Sequence, residues 1–223
     1  METLGAGARG TFVEMLQTAL KRAGYLTGPP DGVFGERTYG AAVNFQAANG
    51  LVADGIVGPL TWAALRPFLT GYLTWRVRSG DTLFALAARY GSSVNAITVA
   101  NPGVNPANLT IGSPLVIPLG FEVVPDDISF TSSLLSLCAE GLAARYPFIG
   151  LSSIGRSVLG RDIRALKIGG GTREVMYNAS HHANEWITTP VLMRFLERYA
   201  AAYAGYNRDK RYCEADKKEG KQP

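Results

Sequence analysis

With 223 residues, 47% of them hydrophobic and 18% charged, the chain is long enough for two or three small globular domains and too apolar for a disordered tail. A formal charge of +4 suits anionic surroundings, but the basic residues are scattered rather than clustered among aromatics, which argues against nucleic acid as a partner. Residues 1–11 lack the basic segment and apolar run of a signal peptide, and no stretch is long and apolar enough to span a bilayer, so the usual export route is not expected. Cys138 and Cys213 stand far apart, fit free thiols or a disulfide equally, and leave the redox compartment open.

Near the N-terminus, Val13, Leu16, Gln17, Leu20 and Tyr25 describe a helix with one apolar stripe, closed by Gly24. A repeat follows. Asp31-Gly32-Val33-Phe34-Gly35-Glu36-Arg37-Thr38 returns as Asp54-Gly55-Ile56-Val57-Gly58-Pro59-Leu60-Thr61. Each copy pairs a turn-forming Asp-Gly and a second Gly with a Thr expected to cap the next helix, over 39–48 or 62–68. Three short helices result, with Phe45, Leu51 and Trp62 read as core.

These residues, with Leu16-Gln17, Gly24-Tyr25, Ala42-Val43, Phe45-Gln46, Gly50-Leu51 and Thr61-Trp62, resemble the three-helix peptidoglycan-binding domain. The resemblance covers residues 1–69 and implies an all-α wall-binding domain.

After a short linker, Trp75-Arg76-Val77-Arg78-Ser79 alternates as a strand and stops at Gly80-Asp81. Asp81 is a good N-cap for a helix over 82–90, with Leu83, Leu86, Ala87 and Tyr90 on one face and Gly91 at its end. Ser92 or Ser93 can cap a second helix over 94–100, and Leu115-Val116-Ile117-Pro118 reads as a strand. The order is strand, helix, helix, strand.

Gly80-Asp81-Thr82-Leu83, Tyr90-Gly91, Asn101-Pro102, Asn105-Pro106, Leu109, Ile111-Gly112 and Ile117-Pro118 are similar to the LysM domain, which places a βααβ unit over 74–119. That resemblance implies binding of N-acetylglucosamine-containing glycans such as peptidoglycan or chitin, in a shallow groove between two loops. Gly80, Asp81, Thr82, Leu83, Asn101 and Ile111 fall in those loops and are the candidate glycan contacts. For Asp81 and Asn101, helix capping is the competing role.

Residues 120–130, with Pro125 and Asp126-Asp127, read as a linker. Beyond it, Leu134, Leu135, Leu137, Cys138 and Leu142 mark a helix ending before Pro147. Residues 151–157 and 162–168 flank Val158-Leu159-Gly160-Arg161 as a hairpin would, and Val175-Met176-Tyr177-Asn178 is expected as a third strand. Thr189 is expected to cap a helix with Pro190 at its first position and Val191, Leu192, Phe195, Leu196 and Tyr199 as its buried stripe. The helical pattern fades at Ala204-Gly205, leaving 206–223 as a charged tail expected to be disordered.

Ile154-Gly155-Arg156-Ser157, Gly160-Arg161, Leu166-Lys167-Ile168-Gly169 and His182-Ala183-Asn184-Glu185-Trp186-Ile187-Thr188 resemble the zinc carboxypeptidase family, nearest in flavour to the bacterial γ-D-glutamyl-diaminopimelate peptidases. The expected fold is therefore multidomain, ending in an incomplete mixed α/β carboxypeptidase-like domain over 131–205. By that resemblance His182 and Glu185 are the first two zinc ligands, imidazole nitrogen and carboxylate oxygen being normal zinc donors. The family's third ligand is a downstream histidine and its general base a later glutamate, and neither can be placed here. His181 is expected to point away from His182. Cys213, Glu214 and Asp216 could ligate metal but lie in the charged tail. Asn184 stands where the digestive carboxypeptidases have an arginine, which sets their mode of carboxylate recognition apart from this chain.

Two readings follow. One is a wall-targeted zinc peptidase cleaving peptidoglycan stem peptides, represented by a truncated chain that holds Zn2+ weakly. The other is a non-catalytic wall-binding protein with a peptidase remnant. Both place it at the bacterial cell wall or spore envelope. A thiol hydrolase built on Cys138 or Cys213 has no supporting motif.

Overall fold

The computed structural model describes the backbone of residues 1–182 and 184–218 and the surroundings of those side chains through Gly205. The first three helices are α1 (Thr11–Arg22), α2 (Glu36–Ala48) and α3 (Pro59–Thr70). Gly24, at φ 83°, ends α1: its N–H donates to Lys21 O and that of Tyr25 to Leu20 O, both carbonyls of the last turn. A left-handed residue there is nearly free for glycine and strained for others.

The two Asp-Gly turns are each built around a buried glutamine. Gln17 Oε1 accepts the backbone N–H groups of Asp31 and Gly32 at 2.9 Å each. Its Nε2 donates to Asp31 Oδ1 at 2.7 Å, Val33 O at 3.1 Å and Thr38 Oγ1 at 3.0 Å. Gln46 repeats the pattern, accepting from Gly55 N and donating to Asp54 Oδ1, Ile56 O and Thr61 Oγ1. This corrects the role expected for Thr38 and Thr61. Both are buried inside the first turns of α2 and α3, whose N-caps are Gly35 and Gly58 without side-chain caps. Each threonine sits three residues inside its helix, past the capping position, and turns its hydroxyl to the buried amide instead.

Strands β1 (Tyr72–Arg76) and β2 (Pro114–Pro118) pair antiparallel, Tyr72 opposite Pro118, and enclose α4 (Leu83–Arg89) and α5 (Val94–Ala100). This βααβ unit has its own core of Val77, Leu83, Leu86, Ala87, Ile97, Leu115 and Ile117. Its two ends meet. Leu119 N–H donates to Gly71 O at 2.8 Å, so the unit leaves and rejoins the rest of the chain at one neck.

The remainder comprises α6 (Ser132–Arg145), the hairpin β3 (Ile149–Arg156) with β4 (Asp162–Ile168), and α7 (Thr188–Lys218). Thr131 caps α6 by accepting from Leu134 N. Helix α6 lies directly on α3. A Cβ built at Gly141 would sit 1.9 Å from Thr70 O, so only glycine permits that backbone approach. Accordingly a single hydrophobic core runs from Leu4 and Val13 through Leu65 and Leu69 to Val123, Leu134, Cys138, Met193 and Ala200.

Four expectations fail in this region. Residues 120–130 are not a solvated linker: Val123 and Val124 are fully buried in the shared core. Residues 175–178 form no strand, because alternation needs a paired edge and this segment has none among the described residues. Helix α7 begins at Thr188 rather than after a Thr189 cap, and it is drawn to Lys218. Residues 219–223 of the charged tail lie outside the described residues.

The fourth is the inward stripe of α7, which is Met193, Glu197, Ala200 and Ala204, while Val191, Phe195 and Tyr199 are exposed. Glu197 decides the rotation. Its two carboxylate oxygens accept the N–H groups of Val123 and Val124 at 2.6 and 3.0 Å, and a helix with apolar residues on several faces turns to make those bonds.

We expect Gln17→Leu to lower the stability of the full chain by about 1–3 kcal/mol, since it leaves the N–H groups of Asp31 and Gly32 without their acceptor. Urea unfolding followed by circular dichroism measures this. A loss below about 0.5 kcal/mol, typical of a neutral surface change, would show that the glutamine does not organise the turn.

Candidate wall-binding and metal sites

In the βααβ unit the two loops expected to flank sugar are bonded to each other. Val77 N–H donates to Ser113 O at 3.0 Å and Gly112 N–H to Val77 O at 2.8 Å. Gly80, at φ 85°, and Ile111 are exposed on these loops. Leu83 is buried in the core and Thr82 is the N-cap of α4, accepting from Ala85 N at 3.1 Å.

Asp81 is therefore not the cap. Its carboxylate accepts from Trp75 Nε1 and from Arg78 N, each at 2.7 Å, tying strand to loop. These bonds, the indole bond first, hold its pKa below the ordinary 3.8. Asn101 follows α5 and bridges it to β2. Its Nδ2 donates to Ile97 O and Val116 O, and its Oδ1 accepts from Val116 N at 2.8 Å. These bonds run inside the domain, so Asp81 and Asn101 shape the loops. Phe84, 77% exposed beside Leu83, is an aromatic the sequence reading passed over. Its signal was its place one residue off the buried stripe.

At the start of α7 the structure brings His182 and Glu185 together. His182 Nδ1 lies 2.8 Å from Glu185 Oε1, and Glu185 N–H donates to His182 O at 3.1 Å. The bond to His182 is the main cause of a lowered Glu185 pKa. Both side chains are open, at 70% and 42% exposure. The turn is organised by Ser180 (φ 52°), whose N–H donates to Thr188 Oγ1 and whose Oγ meets Thr189 Oγ1 and Glu185 O. Sequence reasoning missed Ser180. The run of hydroxyls at 180, 188 and 189 was the available sign.

His181 was expected to face away, but its ring stands edge-on to that of His182, with centroids 5.0 Å apart. The alternation of a strand does not apply, because 180–182 is a turn. Even so, among the described residues no three His, Cys, Asp or Glu side chains converge to hold one ion. Cys213, Glu214 and Asp216 lie where side chains are outside the described residues. Zinc takes three or four protein donors, so the described pair does not by itself fit a catalytic zinc site. Cys138 is buried and free, its thiol pushed up to about 12 by burial, which removes it as a nucleophile at neutral pH.

Fold and sites together define a multidomain protein whose three regions each resemble a known family. Residues 9–65 match the family of peptidoglycan binding domains, residues 76–118 the LysM domain and residues 137–218 zinc carboxypeptidase. The last match extends beyond Gly205, as α7 does.

Among curated relatives, gamma-D-glutamyl-L-diamino acid endopeptidase 1 of Lysinibacillus sphaericus is 39% identical over 84 residues, 38% of this chain and 21% of that protein. A spore cortex-lytic enzyme of Bacillus cereus is 47% identical over 60 residues, 27% of this chain and 23% of the enzyme. That of Oceanobacillus iheyensis is 30% identical over 172 residues, covering 74% of this chain and 59% of the enzyme. The crystal structure of the SleB N-terminal domain is 45% identical, covers 29% of this chain and 88% of that domain, and gives a TM-score of 0.28. The chain thus spans about a fifth of the first relatives named.

The lowered Asp81 pKa has a direct readout. Stability from its two bonds is fully present above the unfolded value near 4 and is lost as pH falls through the lower folded value. The Trp75 indole N–H resonance should titrate with a midpoint below 3.8, the ordinary aspartate value. A midpoint at or above it contradicts the bond.

Proposed function

We propose that this chain is a peptidoglycan-binding protein, held to the bacterial cell wall or spore envelope by its helical and LysM modules. Its carboxypeptidase-like region belongs to a line that hydrolyses peptidoglycan stem peptides. The observation that carries the reading is the presence of two folded modules, each matching a wall-binding family, at the two sides of one neck. The relatives named for endopeptidase and cortex-lytic activities point to the same polymer. Gly80, Asp81, Thr82, Leu83, Asn101 and Ile111 form the glycan-facing loops, with contact through the backbone of Gly80 and through exposed Ile111. No helix among the described residues is long and apolar enough to cross a membrane.

His182 and Glu185 are the metal-directed pair of the carboxypeptidase-like region. Zinc, when held, would polarise a scissile carbonyl and acidify water. A second reading, a wall binder without its own catalysis, is favoured by one observation: the pair gains no third donor among the described residues.

Retention on the wall is tested by co-sedimentation with purified peptidoglycan. The full chain should pellet. Replacing residues 72–118 by a Gly-Gly bridge should weaken retention without abolishing it, because the ends already meet and one of two tethered modules remains. A folded chain that stays in the supernatant overturns the reading.

For the metal, zinc on the 223-residue chain should exchange with mild chelators, and no stem-peptide cleavage should depend on Glu185. Chelator-resistant stoichiometric zinc lost in His182→Ala, or hydrolysis abolished by Glu185→Ala, would restore the enzyme reading.

A further inference from the structure

The charges of the LysM unit are distributed in a way that sugar binding does not require. Between residues 74 and 119 the only charged residues are Arg76, Arg78, Asp81 and Arg89. Arg78, Asp81 and Arg89 gather around one indole. The guanidinium carbons of Arg78 and Arg89 lie 4.6 and 5.2 Å from the Trp75 ring centroid, and Arg89 also lies 5.4 Å from the Tyr90 ring. Asp81 bonds the indole N–H of the same Trp75.

Asp81 lies near enough to feel both guanidinium groups, but one carboxylate leaves the pair with a surplus positive charge. Its bonds run to the Trp75 indole and to the Arg78 backbone N–H, and no side-chain ion pair within 4 Å joins it or any other described carboxylate to Arg78 or Arg89. Arg76 is committed to Gly112 O. Two exposed guanidinium groups are therefore held beside one aromatic platform with their donor forks uncommitted to any carboxylate. Stacking fixes the planes of such groups and reduces the freedom lost when an oxyanion binds them.

Arg78 lies two residues before Gly80 in the proposed sugar loop. A polymer of N-acetylglucosamine is neutral and offers a guanidinium fork only hydroxyl and amide oxygens, no carboxylate. Peptidoglycan carries free carboxylates on its stem peptides, next to the glycan. We infer that Arg78 and Arg89, stacked on Trp75, form a carboxylate-binding subsite that makes this LysM unit prefer peptidoglycan with free stem carboxylates over neutral glycan. The inference rests on the proposed wall-binding function and names the chemistry that function reads.

The test uses the full chain against three insoluble polymers. These are peptidoglycan freed of attached phosphate polymers, the same material with its carboxyl groups amidated, and chitin. Affinity for the free-carboxylate material should exceed that for the amidated form by about tenfold, the worth of one charge-assisted contact, and the margin should shrink at high salt.

Arg78→Gln with Arg89→Gln should remove that margin while chitin binding changes less than twofold, and the paired lysine variant should recover part of it. Equal affinity of the natural chain for free and amidated peptidoglycan overturns the subsite and leaves wall binding intact. So does an equal loss on chitin in the glutamine variant, which would make the arginines structural. A margin that appears only when phosphate polymers are retained also overturns it, because the anion read would then be phosphate. Failure of the natural chain to bind any of the three overturns the wall-binding reading itself.

Discussion

Residues 121–124 carry the fully buried Val123 and Val124 with no strand beside them, and the joining of the two halves of this protein depends on how this stretch of backbone is satisfied. An amide buried without a partner costs as much as a lost hydrogen bond or more. Side chains from three helices supply the partners. Glu197 of α7 accepts the N–H groups of Val123 and Val124, and Arg194 donates to Val124 O. Arg22 of α1 donates to Glu122 O and Val123 O and lies over the Phe121 ring, while Arg145 of α6 donates to Phe121 O. A strap served this way fastens the first helical domain to the carboxypeptidase-like helices.

That fastening changes what the modules are to each other. A serial reading places three beads on a string, with 120–130 as a tether. The packing instead makes one body from the N-terminal helices and the later ones, with the LysM unit as a lobe attached at the Gly71 and Leu119 neck. Glycine at 71 and at 141 is demanded by close approach: a Cβ at 71 would meet Val123 Cγ2 at 2.6 Å, and one at 141 would meet Thr70 O. The three N-terminal helices and α7, which follows the His182–Glu185 turn, are thus parts of one packed unit, and the loops that carry Gly80 and Ile111 sit on the lobe.

Polar residues in turn motifs serve two masters, and burial decides between them. Asp81, Asn101, Thr38 and Thr61 all belong to residue types that cap helices. In this fold Asp81, Thr38 and Thr61 are claimed by longer-range partners, respectively Trp75, Gln17 and Gln46, while Asn101 closes the end of α5 through Ile97 O and also reaches Val116. Thr82, Ser93 and Thr131 face solvent at the starts of their helices and do cap them. His182 and Glu185 are also local partners, three residues apart, which is why their pairing survives without a surrounding site.

The sequence alone determined the features that depend on neighbours in the chain. The three N-terminal helices, the βααβ order, the 162–168 strand with its hairpin mate and the His182–Glu185 motif all come from spacing, turn residues and periodicity. So did the family resemblances, because the Asp-Gly repeats and the LysM loop residues are short-range signatures. What only the tertiary structure decided was the fate of groups whose partners lie far away. Nothing near Glu197 in sequence signals that its carboxylate will bond amides more than seventy positions earlier, and that bond sets the inward face of α7. Nothing local in 175–178 reveals that no sheet edge among the described residues receives it. A backbone amide or carboxylate is satisfied by whichever group packing brings within bonding distance, and packing is a property of the whole chain.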